Sequence, residues 1–223
     1  MRIVTIVQAR QTSKRLPNKV LKKINQFSII EIIVKRLKKL NLVNDIIVAI
    51  PDNKMNDKLS KHLIEKKIKI FRGSEKNVLD RYYQAAKKNK ADVIVRITAD
   101  CPFVDIKIIE NGLKIFLKNR YYFVSNTIKR TYPDGLDISI FSFDLLKKRW
   151  AQSKSNYEKE HVTSSMKKID KCKIFNLEYS KDLSNYRWTL DNNNDLKKIK
   201  KIFEKFKPDI YFSWKKILLK GFK

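Results

Sequence analysis

Hydrophobic residues in this chain follow two periods that take turns. Short unbroken runs rich in Ile and Val, at residues 3–7, 45–50, 68–71 and 92–97, have the pattern of strands covered on both faces. Between them the apolar positions recur at helical spacing. Residues 29–40 put Ile29, Ile32, Ile33, Leu37 and Leu40 on one stripe, residues 57–66 turn Leu59, Leu63 and Ile64 inward, and residues 78–88 are also helical. A further helix starts at Ile106, with Asp105 as its cap. Alternation of this kind predicts an α/β fold, a mostly parallel sheet with helices on both faces. In the second half, residues 122–126 read as a strand, Pro133-Asp134-Gly135 as a tight turn and residues 136–141 as an alternating strand. Residues 186–191 read as a short strand ending in an acid, followed by a helix over 195–206 and an amphipathic closing helix within 209–223 that carries Tyr211, Phe212 and Trp214. No repeat or linker interrupts the 223 residues, which predict one domain.

Charge complicates this picture less than its size suggests. Lys and Arg number 51 against 23 Asp and Glu, a net +28 that would ordinarily raise nucleic-acid binding. However, Lys35, Lys38 and Lys39, and Lys197, Lys198, Lys200 and Lys201, fall on the outer faces of predicted helices. The chain is also rich in Ile and Asn and has only 4 Gly, a skew that an AT-rich genome produces. Solvated faces are the expectation, with no nucleic-acid partner. No run of about 18 apolar residues offers a membrane span. The first residues enter a strand without a charged-then-apolar leader, so a cytoplasmic protein is expected. Cys101 and Cys172 have neither metal-ligand spacing nor a disulfide framework.

Chemistry concentrates where the first strand ends. After Gln8-Ala9 come Arg10, Lys14, Arg15 and Lys19, with hydroxyls at Thr12 and Ser13 and a turn fixed by Pro17. Arg grips phosphate oxygens through paired hydrogen bonds and Lys adds a compact charge, so the loop suits a polyphosphate. Ligands of open α/β sheets sit outside the carboxyl ends of strands, which is where this loop lies. It has no glycine, so it is neither a Walker loop nor a dinucleotide fingerprint. A second acid-bearing turn, Thr98-Ala99-Asp100-Cys101-Pro102, follows the fourth strand and can place one carboxylate at the mouth of a site.

The spacing Arg-x-x-Ser-x-Arg-Leu-Pro-x-Lys closely resembles the amino-terminal signature of cytidylyltransferases that activate sugar acids, above all the SpsF-like group. The stretches FRGSEKNVLDRYY, ITADCP, EHVT and RWTLD resemble that group's later motifs in the same order, so the likeness spans about residues 2–206. It implies a Rossmann-like nucleotidyltransferase fold of GT-A type, with a small β insertion at about 122–142 serving acceptor and homodimer. It also implies CTP and a small acidic acceptor as substrates. Nucleotide binding would fall to Gln8, Ala9, Arg10, Ser13, Arg15, Lys19, Gly73, Ser74, Arg81, Thr98 and Ala99. Among these, Arg10, Arg15 and Lys19 would be catalytic together with Asp100. Asp100 and Asp191 would hold Mg²⁺, and Asn126, Arg130, Asp134, Asp137, Glu160 and His161 would lie near the acceptor.

Several of these residues have a second reading from the residues alone. Arg81 can pair internally with Asp80 or Glu75, Ser74 and Asp191 can be helix caps, and residues 126–137 can be a surface hairpin. His161 can cap or pair within a helix running to Met166, and His62 on a polar helix is a bystander. Two departures stand out: Asn18 where the group has glycine, and Asn192-Asn193 where it has Thr-Pro. A glycosyltransferase of similar design would carry Asp-x-Asp after a strand, which Ile97-Thr98-Ala99-Asp100 does not supply. A polyanion-binding protein would show steeply salt-dependent binding without turnover.

Overall fold

The structure, a computed structural model, describes residues 1–168 and 173–222; Cys172 and Lys223 lie outside them. Nine strands and eight helices are described: β1 (Ile3–Gln8), β2 (Lys23–Ile24), β3 (Phe27–Ser28), α1 (Ile29–Leu37), β4 (Asp45–Pro51), α2 (Asp57–Glu65), β5 (Ile70–Gly73), α3 (Val78–Lys88), β6 (Val93–Thr98), α4 (Ile106–Asn119), β7 (Phe123–Ser125), β8 (Ser139–Ser142), α5 (Phe143–Gln152), α6 (Asn156–Glu160), β9 (Ile174–Asn176), α7 (Asn193–Lys205) and α8 (Trp214–Leu219). Seven strands form one sheet in the order β5-β4-β1-β6-β8-β7-β9. The strands β5, β4, β1 and β6 are parallel, β8 runs against β6 and β7, and β9 is parallel to β7. The predicted α/β architecture is therefore present, with β8 as its one reversed strand. Residues 122–142 do not form a separate hairpin: β7 and β8 are integral strands of the main sheet.

Burial explains why the first strands read so clearly. Val4, Ile6, Val7, Val48, Ala49, Ile94, Val95 and Ile97 are fully buried, because both faces of the sheet are covered. One face packs α1, α4 and α7 against Val7, Val48, Val95 and Ile97; the other packs α3 and α5 against Val4, Ile6, Ile47 and Ile94. Arg36, buried to 2% exposure on α1, was not anticipated. Its guanidinium donates to the carbonyls of Val104 (2.8 Å), Ile210 (2.5 Å) and Phe212 (2.9 Å), stitching α1 to the chain before α4 and to the tail. Burial pushes this group down to about 10.

Local differences from expectation have physical causes. Ile64 is 60% exposed, since α2 lies on the sheet through Leu59, Ser60 and Leu63. Residues 186–191 do not form a strand; among the described residues they make a single parallel bridge, between Asp134 and Arg187. Tyr211 is 44% exposed and the tail coils before the short α8, although Phe212 and Trp214 are buried as an amphipathic segment requires. Asp105 caps α4 as expected, accepting from the Lys107 amide at 2.9 Å.

His62 has a structural place at the start of α1. Ser28 and Glu31 form a capping box at the start of α1. His62 Nε2 lies 2.9 Å from Ser28 Oγ and 3.3 Å from Glu31 Oε2. Burial works to raise the Glu31 carboxyl, but the Ser28 amide and hydroxyl, Lys66 and His62 outweigh it and hold the group below its ordinary 4.5. A carboxyl lowered by folding contributes stability that is present above 4.5 and lost as pH falls through the folded value. Glu31→Gln is therefore expected to cost about 1 kcal/mol at neutral pH and to flatten the acid limb of the stability curve. Denaturant unfolding measured across pH checks this, and an unchanged acid limb would contradict it.

Candidate active site

The parallel register of β1 and β6 sets Gln8 beside Thr98, so the two loops that follow leave the sheet side by side. Ala99 N donates to Gln8 O (2.9 Å) just beyond the ladder. The first loop is pinned to α2 by Gln11, whose amide donates to Asn56 Oδ1 (2.8 Å) and whose side-chain oxygen accepts from Leu59 N (3.0 Å). Leu16 is buried beneath it. At Asn18 the backbone turns left-handed, with φ of 58°. Glycine adopts that conformation freely and asparagine tolerates it better than most residues, so Asn18 is compatible with the turn the loop makes here. A 3₁₀ turn at Lys19–Leu21 then aims Lys19 inward.

Two backbone contacts bring the distant acid to the same place. Trp188 N donates to Asp134 O (2.7 Å), and Leu190 N donates to Asp100 O (2.8 Å). Asn192, one of the two departures from the resembled motif, caps α7 in a capping box with Asp195. Asp195 Oδ2 also accepts from Asp191 N (2.8 Å). Asp100 and Asp191 thus arrive together although 91 positions separate them.

Between the two carboxylates sits the Lys19 ammonium, 3.3 Å from Asp100 Oδ2, 3.2 Å from Asp191 Oδ1 and 2.9 Å from the Leu190 carbonyl. Arg15 approaches Asp191 Oδ1 at 3.0 Å, and Arg187 holds Asp191 Oδ2 at 2.6 Å. The Thr98 hydroxyl donates to Asp100 Oδ1 (2.6 Å). Burial works to raise the Asp100 carboxyl, but Lys19 and the Thr98 hydroxyl prevail and hold it below the ordinary value. Cys101, 2% exposed, is a buried thiol pushed well up by burial and by Asp100.

The site opens into a cavity of about 730 Å³, whose lining includes Gln8, Ala9, Arg10, Ser13, Arg15, Lys19, Arg81, Thr98, Ala99, Asp100, Glu160 and Asp191 from the residues singled out by sequence. Thr12, Lys14, Val20, Met55, Glu75 and Val78 complete it. Arg81 is 1% exposed; its Nη1 donates to the Ser74 carbonyl (2.5 Å), while its Nε is a buried donor without a partner among the described residues. Burial, with Arg10 nearby, lowers Arg81 to about 10. It pairs with neither Asp80, which accepts from Trp150 and Gln84, nor Glu75, which accepts from Thr12 and Asn53.

Other candidate residues lie outside that lining. Ser74 Oγ accepts from Asn77 N (3.0 Å), and a side chain at Gly73 would meet Phe71 at 2.8 Å and Arg81 at 3.2 Å, so both support Arg81 from behind. Asn126 is buried with its amide committed to Leu136 O (2.8 Å) and Ile138 N (2.9 Å). Arg130 forms a two-pronged pair with Asp137 (2.5 and 2.8 Å) and lies 3.4 Å from Asp134. Asp134 is raised by burial and by Asp137, against the pull of Arg130 and Arg187. His161 is exposed, terminates α6 and lies tilted against the Tyr157 ring, with centroids 4.5 Å apart. Arg187, Gln11 and Asn56 were missed as positioning residues; Arg187 was quoted only as part of a motif.

Among the described residues no group of three or more His, Cys, Asp or Glu could hold a metal by itself. Yet Asp100 and Asp191 each turn an oxygen toward one cationic point, so the donor set fits Mg²⁺ bound by two carboxylates with phosphate and water completing the shell.

The mostly parallel sheet holds its charged cavity outside the carboxyl ends of the strands, where such folds bind ligands, and the class is that of a nucleotidyltransferase. The chain belongs to the cytidylyltransferase family, whose model matches residues 4–217, and is a CTP-utilising enzyme. It is 39% identical over 216 residues to an uncharacterised protein of Methanocaldococcus jannaschii, covering 94% of this chain and 88% of that one. It is 28% identical to the spore coat polysaccharide biosynthesis protein SpsF of Bacillus subtilis over 93% of this chain and 90% of the relative. The structure of a cytidylyltransferase from Leptospira borgpetersenii superposes with a TM-score of 0.93 at 31% identity, over 98% and 93% of the two chains. A CMP:2-keto-3-deoxy-manno-octonic acid synthetase complexed with CTP shares the fold, with a TM-score of 0.70 at 16% identity over 92% and 100%.

Gly135 tests the backbone contacts that deliver Asp191. Its φ is +106°, and a Cβ there would lie 2.8 Å from the Trp188 carbonyl carbon and 3.0 Å from Thr189 N. Gly135→Ala is expected to lower stability by about 2 kcal/mol or more. An unchanged thermal midpoint would contradict the close approach.

Proposed function

We propose that the protein transfers CMP from CTP to a hydroxyl of a small acidic sugar, releasing pyrophosphate, in the supply of activated sugar for surface glycan synthesis. The observation that carries this is the convergence of Lys19, Arg15, Asp100 and Asp191 at the strand ends of a cation-lined cavity. Arg10, Arg15, Lys19 and Ser13 receive the triphosphate, and Arg81 supplies an uncompensated buried cation on the nucleotide side. Gln8, Ala9, Thr98 and Ala99 line the wall against which the nucleoside lies. The acceptor oxygen displaces pyrophosphate in line at the α-phosphorus; the cations hold the leaving group as charge develops on it. Such catalysis is positioning and electrostatics, with little covalent work for the protein.

Mg²⁺ is the cofactor of this reading, held by Asp100 and Asp191, and when bound it neutralises phosphate charge. Arg187 keeps Asp191 oriented through its contacts with Asp191 and Asp195. The acceptor is placed toward Glu160 and the Arg130–Asp137–Asp134 group, with Asn126 bracing the backbone there and His161 at the rim. A homodimer with the 122–142 region at its interface, and a cytoplasmic setting, belong to the same reading. The SpsF relative bears a name in spore coat polysaccharide biosynthesis, which supports a glycan pathway.

Lys19→Ala and Arg15→Ala are each expected to reduce kcat/KM by about a hundredfold, as removal of a donor to developing charge does. Pyrophosphate release from CTP with a panel of acidic sugars measures it. Near-normal turnover in both variants would overturn the assignment of the loop.

A further inference from the structure

Lys19 and Arg15 do more in this structure than wait for phosphate. An ammonium has three protons, and those of Lys19 face three acceptors: Asp100 Oδ2 at 3.3 Å, Asp191 Oδ1 at 3.2 Å and Leu190 O at 2.9 Å. Lys19 therefore has no free donor for a phosphate while it keeps these partners. Asp191 is in the converse position. Its Oδ1 meets both Lys19 and Arg15, at 3.2 and 3.0 Å, and its Oδ2 meets Arg187 at 2.6 Å. Asp100 gives one oxygen to the Thr98 hydroxyl and the other to Lys19.

Resting on the CTP and Mg²⁺ reading above, we infer that Lys19 and Arg15 keep the two carboxylates closed to a divalent cation until the nucleotide's triphosphate draws both side chains away. Mg²⁺ takes carboxylate oxygens at about 2.0–2.1 Å. A like-charged ammonium lodged between the same oxygens opposes its entry by occupation and by Coulomb repulsion. The two side chains are suited to leave. The Arg15 side chain is 70% exposed, with Asp191 as its ion-pair partner among the described residues, and Lys19 rides on a flexible four-carbon stem. Arg187 is suited to stay, since Asp195 at 2.7 Å anchors its other branch. Once Lys19 and Arg15 turn to phosphate, Asp100 and Asp191 are left with excess negative charge that a divalent cation balances. Nucleotide and metal therefore favour each other's binding, and by linkage the factor is the same in both directions.

Mn²⁺ is the probe, with free metal read by electron paramagnetic resonance in titrations of the whole protein, with and without CTP and corrected for Mn²⁺ bound to CTP itself. In the unaltered protein CTP is expected to tighten Mn²⁺ binding by a factor within the roughly 5–150-fold range of coupled sites. Lys19→Met is expected to tighten nucleotide-free Mn²⁺ binding about tenfold or more and to shrink the effect of CTP. The exposed Arg15→Met, which leaves the core untouched, shifts binding in the same direction by a smaller factor. Lys14→Met removes an equal charge from the cavity lining and is expected to change Mn²⁺ affinity by less than about threefold. Unchanged or weaker nucleotide-free binding in Lys19→Met and Arg15→Met would overturn the proposal, as would equal tightening in Lys14→Met. Asp191→Asn separates the two layers: if it binds Mn²⁺ normally in the presence of CTP, the carboxylate metal site itself fails.

Discussion

One ammonium group, that of Lys19, joins parts of the chain that lie 81, 171 and 172 positions away from it. The rest of the active-site architecture can be understood as what is needed to bring its partners there. Parallel pairing of β1 and β6 sets the two loops side by side, Leu190 N on Asp100 O docks the segment that carries Asp191, and the capped start of α7 fixes where that segment turns. Lys19 and Asp191 are mostly shielded, with side chains 12% and 17% exposed. Shielded charges of this kind carry a desolvation cost that full hydrogen bonding has to offset. The lowered Asp100 carboxyl shows the balance falling on the side of the charged pair.

Much of this was legible in the residues. Strands with both faces covered lose their polar alternation, so β1, β4 and β6 stood out as apolar runs. The cations after β1 and the aspartate after β6 were legible because strand ends are where such sheets present chemistry. Pairing Asp100 with Asp191 needed the resemblance, since no local pattern reveals that Leu190 and Asp100 share a backbone hydrogen bond. Other features were hidden for physical reasons. Arg36 looks like another helix-surface cation until the tail and the start of α4 close over it. Gln11 and Asn56 act through backbone amides, for which a sequence carries no mark. Residues 186–191 have a strand's composition but find isolated backbone partners, Asp134 and Asp100, rather than a strand.

The cavity and the ion-pair cluster outside its lining differ in how they are prepared. The cavity lining carries five cations, Arg10, Lys14, Arg15, Lys19 and Arg81, against four carboxylates, Glu75, Asp100, Glu160 and Asp191, and Arg81 retains a buried donor without a partner among the described residues. Outside that lining, Arg130 pairs with Asp137 and Asp134, and Asn126 is spent on the backbone. In the proposed reading the nucleotide meets a lining with an excess of cations, while the acceptor meets groups already paired with one another. That difference accounts for why the residues speak plainly of a triphosphate and much less of its acceptor.

A thermal-shift series with CTP, UTP, ATP and GTP, each with and without Mg²⁺, puts the central claim to the most direct test. A ligand that binds only the native state raises its midpoint by mass action. A CTP site built on Lys19, Arg15, Asp100 and Asp191 predicts stabilisation by CTP above the other nucleotides, strengthened by Mg²⁺. A flat series, or equal stabilisation by every polyanion, would contradict it and reduce the loop to a basic surface.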